Sequence, residues 1–270
     1  MDLLSIIMLG LLQGIFEWLP VSSKTIDAFV FLQFFGGTTG QVLYVVLFLH
    51  IGTVLAAIIY FRDKLIKMGL DLLKIRNLNH LKGHEAMFYV SALFGTAIIA
   101  LPLLILQKFI LPSLNASTLF ILMGAGLLVT SFLLSRRLGR ITTRQEKDAT
   151  PIDGLITGIF QGFSLIPGIS RSGASTTALI WRKFDPFSAF ELSFILSIPT
   201  VICGEIFFYI LGGGFTGFDL TDGLLLATSS FIFGYLTIGY LLDAAKKIDL
   251  SKLALAFGIL MVIAGFFKIG

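Results

Sequence analysis

The sequence predicts an all-α polytopic membrane protein, with six transmembrane helices and two re-entrant or broken helical segments in an inverted repeat. Three observations carry this prediction. First, the 270 residues are 56% hydrophobic, include 27 phenylalanines, have a mean hydropathy of +0.94 and are only 13% charged, whereas soluble domains carry about 25% charged residues. Second, six apolar stretches approach the roughly 20 residues that a helix needs to cross a bilayer core of about 30 Å. Third, two further apolar stretches are interrupted by proline and polar residues, and the two interruptions resemble each other.

In chain order, residues 3–35 form the first interrupted segment, broken by Gln13, Glu17, Pro20 and the run Ser22-Ser23-Lys24-Thr25. Spans are expected at 41–61, 86–107 and 118–135. The second interrupted segment covers 152–181, with its break from Pro167 through Gly173, and spans are expected again at 187–211, 223–243 and 253–268, the last two near the short end. At membrane depth, irregular backbone is tolerated only where it is buried in protein or lines a wet cavity, so each break predicts a cavity. The whole chain, 1–270, reads as one membrane domain with repeat 1 at about 1–136 and repeat 2 at about 151–270. The start, Met1-Asp2, lacks a basic n-region and no A-x-A-like site follows Leu12, so a cleavable signal is not expected. The one cysteine, Cys203, excludes an intramolecular disulfide and is expected as a packing residue in the apolar stretch 194–211.

The basic residues set an orientation. Loop 62–85 holds Arg62, Lys64, Lys67, Lys74, Arg76 and Lys82, whereas 108–117 holds only Lys108. Loop 136–151 holds Arg136, Arg137, Arg140, Arg144 and Lys147; Arg182 and Lys183 follow the second break; 212–222 has none; Lys246, Lys247 and Lys252 fall near the last connection. If both broken segments return to the side they entered, every basic loop lies on one face. By the positive-inside rule that face is cytoplasmic, which puts both termini outside a plasma membrane. The net charge of +4 then needs no nucleic-acid partner. His80 and His84 have i,i+4 spacing but no accompanying ligands, and read as a solvated loop. With this topology the first break enters from outside and the second from inside, so they point toward each other.

The breaks also match in sequence. Gln13-Gly14 is followed by Pro20 and Ser22-Ser23, and Gln161-Gly162 by Pro167 and Ser170-Arg171-Ser172, with a one-residue difference in spacing. Three spans follow each break, and an odd number inverts the second copy. Inverted repeats place their sites near the bilayer midplane at discontinuous helices.

The chemistry concentrates in the breaks. Arg171 lies amid apolar sequence, where a charge costs roughly 2.5–3.5 kcal/mol on insertion scales, and an anion is the obvious compensation. Gly168 and Gly173 let backbone approach a ligand, a helix starting near Ser172 would aim N–H groups at an anion, and Ser170 and Ser172 add hydroxyls to the phosphate-matched fork of Arg171. The plainer alternative, an arginine snorkelling to the interface, conflicts with its central position. In the first break Gln13 and Glu17 share a helical face; Glu17 can hold a divalent cation or act as general base, Ser22 and Ser23 follow, Ser23 is a candidate nucleophile, and Lys24 is a second cation. Alternatively Glu17 serves only to neutralise Arg171. Glu205, beside Gly204 in an apolar span, either lines the cavity or faces a neighbouring subunit.

The pair QGIFEWLPVSS (13–23) and PGISRSG (167–173) closely resembles the two signature motifs of the undecaprenyl-diphosphate phosphatase family, the bacitracin-resistance-associated membrane enzymes that recycle the polyprenyl lipid carrier. His50-Ile51-Gly52-Thr53 and the run Leu192 to Pro199 also look like that family, and the resemblance covers essentially the whole chain. It implies hydrolysis of a membrane-embedded polyprenyl diphosphate to the monophosphate, usually with Mg²⁺ or Ca²⁺. Gln13 and Glu17 match the acidic motif, Ser23 the serine after the proline, and Ser170, Arg171 and Ser172 the arginine motif; Glu17 is then metal ligand or base and Arg171 the phosphate clamp. One departure stands out. The family usually continues its first motif with Gly-His, whereas this chain reads Lys24-Thr25-Ile26-Asp27, with Ile26 at the histidine's position. Asp27 or the more distant His50 are candidate substitutes, Lys24 can supply the lost positive charge, and Glu17 is expected to carry the acid–base work alone or through a metal-bound water. The departure is also compatible with a dolichol-like rather than undecaprenol carrier. The rival function, from a different class, is a polyprenyl-phosphate transporter or flippase, because broken helices in inverted repeats are also a transporter architecture. The expected partners are the lipid substrate and the membrane, with a homodimer compatible and no nucleic acid.

Overall fold

The computed structural model describes residues 1–74, 85–110, 114–136, 142–212, 219–244, 249 and 251–267. His80 and His84 lie outside the described residues, as do Arg76, Lys82, Arg137, Arg140, Lys246 and Lys247. The described chain is helical, with a single isolated bridge between Arg144 and Phe184. In order, the helices are α1 (Leu3–Phe16), α2 (Ser23–Phe34), α3 (Thr39–Tyr60), α4 (Arg62–Lys74), α5 (Glu85–Ile110), α6 (Ala116–Ser135), α7 (Pro151–Gly162), α8 (Arg171–Trp181), α9 (Pro186–Gly212), α10 (Leu220–Ala244) and α11 (Ser251–Phe266).

Five of these, α3, α5, α6, α9 and α10, are long and apolar enough to cross a membrane. The sixth expected span, 253–268, corresponds to α11, an apolar helix of 16 residues that is shorter than the other five. Large apolar side chains face outward around the bundle, among them Phe94, Phe109, Tyr240 and Phe266, as lipid-facing surfaces do. Cys203, expected in packing, is on this exposed surface of α9. Loop 62–85 also differs from expectation because it opens with α4. There Leu65 and Met68 pack on the core, Ile66 and Leu70 are exposed, and Lys64 bridges Glu85 at 2.9 Å and Glu191 at 3.1 Å.

Both interrupted segments are broken helices. Between α1 and α2 the backbone leaves the helix at Glu17 and resumes at Ser23; between α7 and α8 a 3₁₀ turn at Phe163–Leu165 leads through Pro167 to Arg171. Each entering half-helix presents glycines at four-residue spacing to a long helix, the small-residue pattern that lets backbones approach closely in membranes. A Cβ at Gly14 of α1 would lie 2.6 Å from the Gly234 nitrogen of α10, and one at Gly158 of α7 would lie 2.0 Å from the Ala92 oxygen of α5. Elsewhere α6 packs on α11 and α3 on both α9 and α10.

At the loop end of α7, Thr150 and Asp153 form a capping box with Pro151 as the first helical residue, an arrangement that satisfies the orphan amides of a helix start. Asp153 also accepts from Arg144 (2.5 and 2.9 Å) and from Arg182 (2.7 Å). Burial pushes its carboxyl upward, but the hydrogen bonds from Arg144, Thr150 and Arg182 outweigh burial and hold it at about 2. The clasp joins the two ends of the second interrupted segment, the start of α7 and, through Arg182, the end of α8.

Candidate active site

The two breaks meet. Ser172 Oγ, in the first turn of α8, donates to the Leu19 carbonyl at 2.9 Å, and a Cβ at Gly173 would lie 3.3 Å from the Pro20 oxygen. A helix that must restart inside a membrane needs its first amides satisfied. For α8 this falls to Ser170, whose Oγ accepts from the Gly173 nitrogen at 3.1 Å. The Ser170 amide in turn donates to Thr130 Oγ1 of α6 at 3.0 Å. Gly168 has φ +89°, and a Cβ there would lie 1.9 Å from the Met123 oxygen, so both conformation and space require glycine.

The starts of α2 and α8 open onto one cavity of about 80 Å³. Its walls include Glu17, Ser22, Ser23, Lys24, Ser170, Arg171 and Ser172 from the breaks. Lys24 is exposed, and the two serine pairs are buried. Arg171 Nη2 donates to Glu17 Oε1 at 2.8 Å. The other carboxylate oxygen, Oε2, accepts from Ser23 Oγ at 2.7 Å and from Gln13 Nε2 at 3.1 Å. Nη1 of Arg171 is buried and has no hydrogen-bond partner among the described residues, and a buried donor left in this state costs roughly 1–3 kcal/mol or more.

Four residues expected at the site do not line the cavity. Gln13 is fully buried behind Glu17 and also donates to Thr53 of α3 at 3.3 Å, so it orients the carboxylate. Gly168 and Gly173 serve the close packing of the second break against α6 and against Pro20. Asp27, a candidate substitute for the missing histidine, is buried on α2 away from the cavity walls.

His50 does line the cavity. It comes from α3, and its Nε2 lies 3.5 Å from Glu17 Oε2. Nδ1 is 2.7 Å from the Val46 carbonyl, and because a carbonyl only accepts, Nδ1 carries the hydrogen; the nitrogen facing Glu17 is then the one free to hold or release a proton. Glu205 takes the cavity-lining alternative, with Oε1 3.7 Å from His50 Nδ1. Ser164 and Thr200 are further wall residues that sequence reasoning did not single out. The only sequence signal for Thr200 was its place after Pro199, in a stretch already read as an ordinary span.

Sequence comparison names the architecture. The family model described as bacitracin resistance protein BacA matches residues 6–267. This chain belongs to the BacA family. Among curated BacA-like relatives, the undecaprenyl-diphosphatase of Methanococcoides burtonii is 36% identical over 266 residues, covering 96% of this chain and 97% of the relative. The undecaprenyl-diphosphatase of Methanothrix thermoacetophila is 33% identical, covering 96% of each chain. That of Alkaliphilus metalliredigens is 32% identical, covering 89% of this chain and 90% of the relative. The BacA match spans both breaks and all the helices between them, so the convergence of Glu17, Ser23 and Arg171 belongs to the matched region.

Proposed function

We propose that this chain is a membrane-embedded phosphatase that hydrolyses a polyprenyl diphosphate of the undecaprenyl type to the monophosphate and inorganic phosphate, returning the lipid carrier to use. The observation that carries the reading is Arg171, whose buried Nη1 has no partner among the described residues, on the wall of a cavity that is also lined by Ser23 bonded to Glu17. A guanidinium has five donors in a planar fork. One terminal nitrogen orients Glu17 and the other is left for a phosphate oxygen. The starts of α2 and α8 add helix-terminal partial charge of the sign an anion needs, and Lys24 supplies a cation at the exposed side. Ser22, Ser170 and Ser172 offer hydroxyls along the same wall.

In the proposed chemistry Ser23 Oγ attacks the terminal phosphorus, and its proton passes to Glu17 Oε2, already 2.7 Å away. The bond from that phosphorus to the bridging oxygen breaks and the lipid monophosphate departs with the bridging oxygen. Glu17 hands that proton to the departing monophosphate; water then attacks the phosphoserine and gives a proton to Glu17, which passes it to Ser23 Oγ as the bond between Ser23 and phosphorus breaks and inorganic phosphate leaves. His50, 3.5 Å from the same oxygen, is placed to share the proton that Glu17 gains. It thereby occupies the role for which Ile26 has no chemistry.

A divalent cation, Mg²⁺ or Ca²⁺, fits this reading in a restricted form. Among the described residues no group of three or more His, Cys, Asp or Glu is placed to hold a metal. Mg²⁺ is commonly held by one or two carboxylates plus substrate phosphates, and Glu17 and Glu205 both border the cavity. When bound, such an ion would neutralise charge on the diphosphate oxygens.

The two halves are further inferred to be inverted copies, repeat 1 at about 1–136 and repeat 2 at about 151–270. Gln13 donates to Thr53 at 3.3 Å and Gln161 to Thr200 at 3.0 Å, and each threonine lies in the first span after its own break. Likewise α1 lies against α10 and α7 against α5, each entering half-helix on the second span of the other half. With the basic loops cytoplasmic, both termini of this plasma-membrane protein are outside.

The test is phosphate release from a prenyl diphosphate by purified protein in detergent, with and without Mg²⁺. Release above a heat-inactivated control is expected. Its absence beside a competent positive control would move the reading to a transporter that binds the lipid anion without cleaving it.

A further inference from the structure

Next to the polar cavity lies a larger apolar groove of about 420 Å³ between α3 and α9. Leu47, Ile51, Val54 and Ile58 form one side and Val201 and Ile202 part of the other. Glu205 is the one charged residue among the described residues on its walls. Its floor is buried at Leu47 and Val54, while Leu55 and Ile206 at its rim are exposed on the lipid-facing surface. The groove therefore opens laterally into the bilayer.

Two of its residues, Val201 and Glu205, also line the polar cavity. A chain leaving the cavity past these residues enters the groove directly. A lipid diphosphate needs such an exit. Its anionic end belongs among Arg171, Ser23 and Ser170, whereas a hydrocarbon chain against those walls would leave their polar groups without partners, which is costly. Glu205, on the walls of both, marks the junction between the polar cavity and the apolar groove.

We propose that the α3–α9 groove holds the first isoprene units of the substrate's own prenyl tail, so that the lipid enters sideways from the bilayer, tail trailing between α3 and α9. The proposal rests on the phosphatase reading for the identity of the anion. Lipid tails are as apolar as the groove, so the groove does not act by hydrophobic transfer. It acts by shape, holding the chain in the direction that places the diphosphate against Arg171.

The experiment compares a five-carbon with a fifteen-carbon prenyl diphosphate on the full-length protein in detergent, for wild type and for Leu55→Trp and Ile202→Trp, which fill the groove from opposite sides. The ratio of kcat/KM for the fifteen-carbon to the five-carbon substrate should fall by about tenfold or more in both variants, the scale on which apolar pockets discriminate by small volumes. An unchanged ratio, or equal losses on both substrates, would overturn the proposal; the former outcome would mean that bulk lipid fills the groove. A second measurement reads tail position without hydrolysis: a prenyl diphosphate carrying a photoreactive group in its first units should label the stretches 47–58 and 201–206. Labelling elsewhere refutes the groove even if phosphate is released, and labelling there without phosphate release refutes the phosphatase reading instead.

Discussion

Arg171 and Glu17, 154 positions apart in the sequence, are joined by a hydrogen bond of 2.8 Å between Nη2 and Oε1. Each is drawn from the break of a different helix, so the pair ties the two halves of the chain at one point. Because Nη1 keeps no partner among the described residues, the pair is more than mutual neutralisation. A purely structural ion pair would be expected to satisfy its buried donors.

Ser23→Ala should reduce phosphate release by about a hundredfold or more, the scale of losing a positioned group that takes part in bond making and proton transfer. The variant keeps α2 intact because Ser22, not Ser23, is its N-cap. Activity within a few fold of wild type would mean that water attacks the diphosphate directly, with Glu17 as its base.

His50 and Glu17 should be energetically coupled. In a double-mutant cycle with His50→Ala and Glu17→Gln, read as kcat/KM for phosphate release, the interaction should fall in the range of about 0.5–3 kcal/mol found for residues in contact. Additivity would remove His50 from the mechanism and leave Glu17 to act alone. In the sequence the histidine stands out as a family-like residue of an apolar span and as a distant candidate substitute for the missing one. Nothing in that span's pattern says which residue of another element it faces, and only the packing of α3 beside the first break brings it within 3.5 Å of Glu17.

Other features divide along the same line. Broken helices announce themselves locally, through Pro20, Pro167 and clustered serines, because a helix cannot continue through them. The convergence of the breaks also followed from counting spans and basic loops. By contrast, Glu205 and Thr200 reach the cavity only through the placement of α9. Gly168 and Gly173 looked like ligand-binding glycines, but their nearest neighbours are protein: the Met123 carbonyl for one and the Thr130 side chain for the other. A glycine needed for a ligand and one needed for a close helix contact have the same signature in sequence. Nor did the sequence separate α4 from a basic loop, since six of its thirteen residues are charged and it is too short to register as a span.

Asp153 gives a pH dependence. Its carboxyl titrates at about 2 in the fold against an ordinary 3.8, so its contribution to stability is complete above about pH 4 and is lost as the pH falls toward 2. Thermal unfolding in detergent should show Asp153→Asn less stable than wild type at pH 6, with the difference shrinking between pH 4 and pH 2. A difference independent of pH over that interval would show that the Arg144–Asp153–Arg182 clasp does not contribute through charge.

The orientation can be read with impermeant thiol labels on a variant in which Cys203 is replaced by Ala. Asn115 and Gln145 are both exposed at helix ends. Asn115→Cys should react from outside and Gln145→Cys only from the cytoplasmic side; the reverse pattern would overturn the positive-inside assignment and place both termini in the cytoplasm.

The account rests most heavily on Arg171 as the phosphate clamp, and the most direct measurement is the turnover of a prenyl diphosphate by Arg171→Ala and Arg171→Lys. Removing the guanidinium also leaves Glu17 buried without its partner, which destabilises by roughly 3–5 kcal/mol in comparable pairs, so folding is checked by thermal unfolding, and the lysine variant retains a charge opposite Glu17 without the two-pronged fork. The account predicts that kcat falls on the order of a hundredfold or more in the alanine variant, and that the folded lysine variant recovers only part of it. Turnover within a few fold of wild type in either folded variant would contradict the assignment of Arg171 as the clamp.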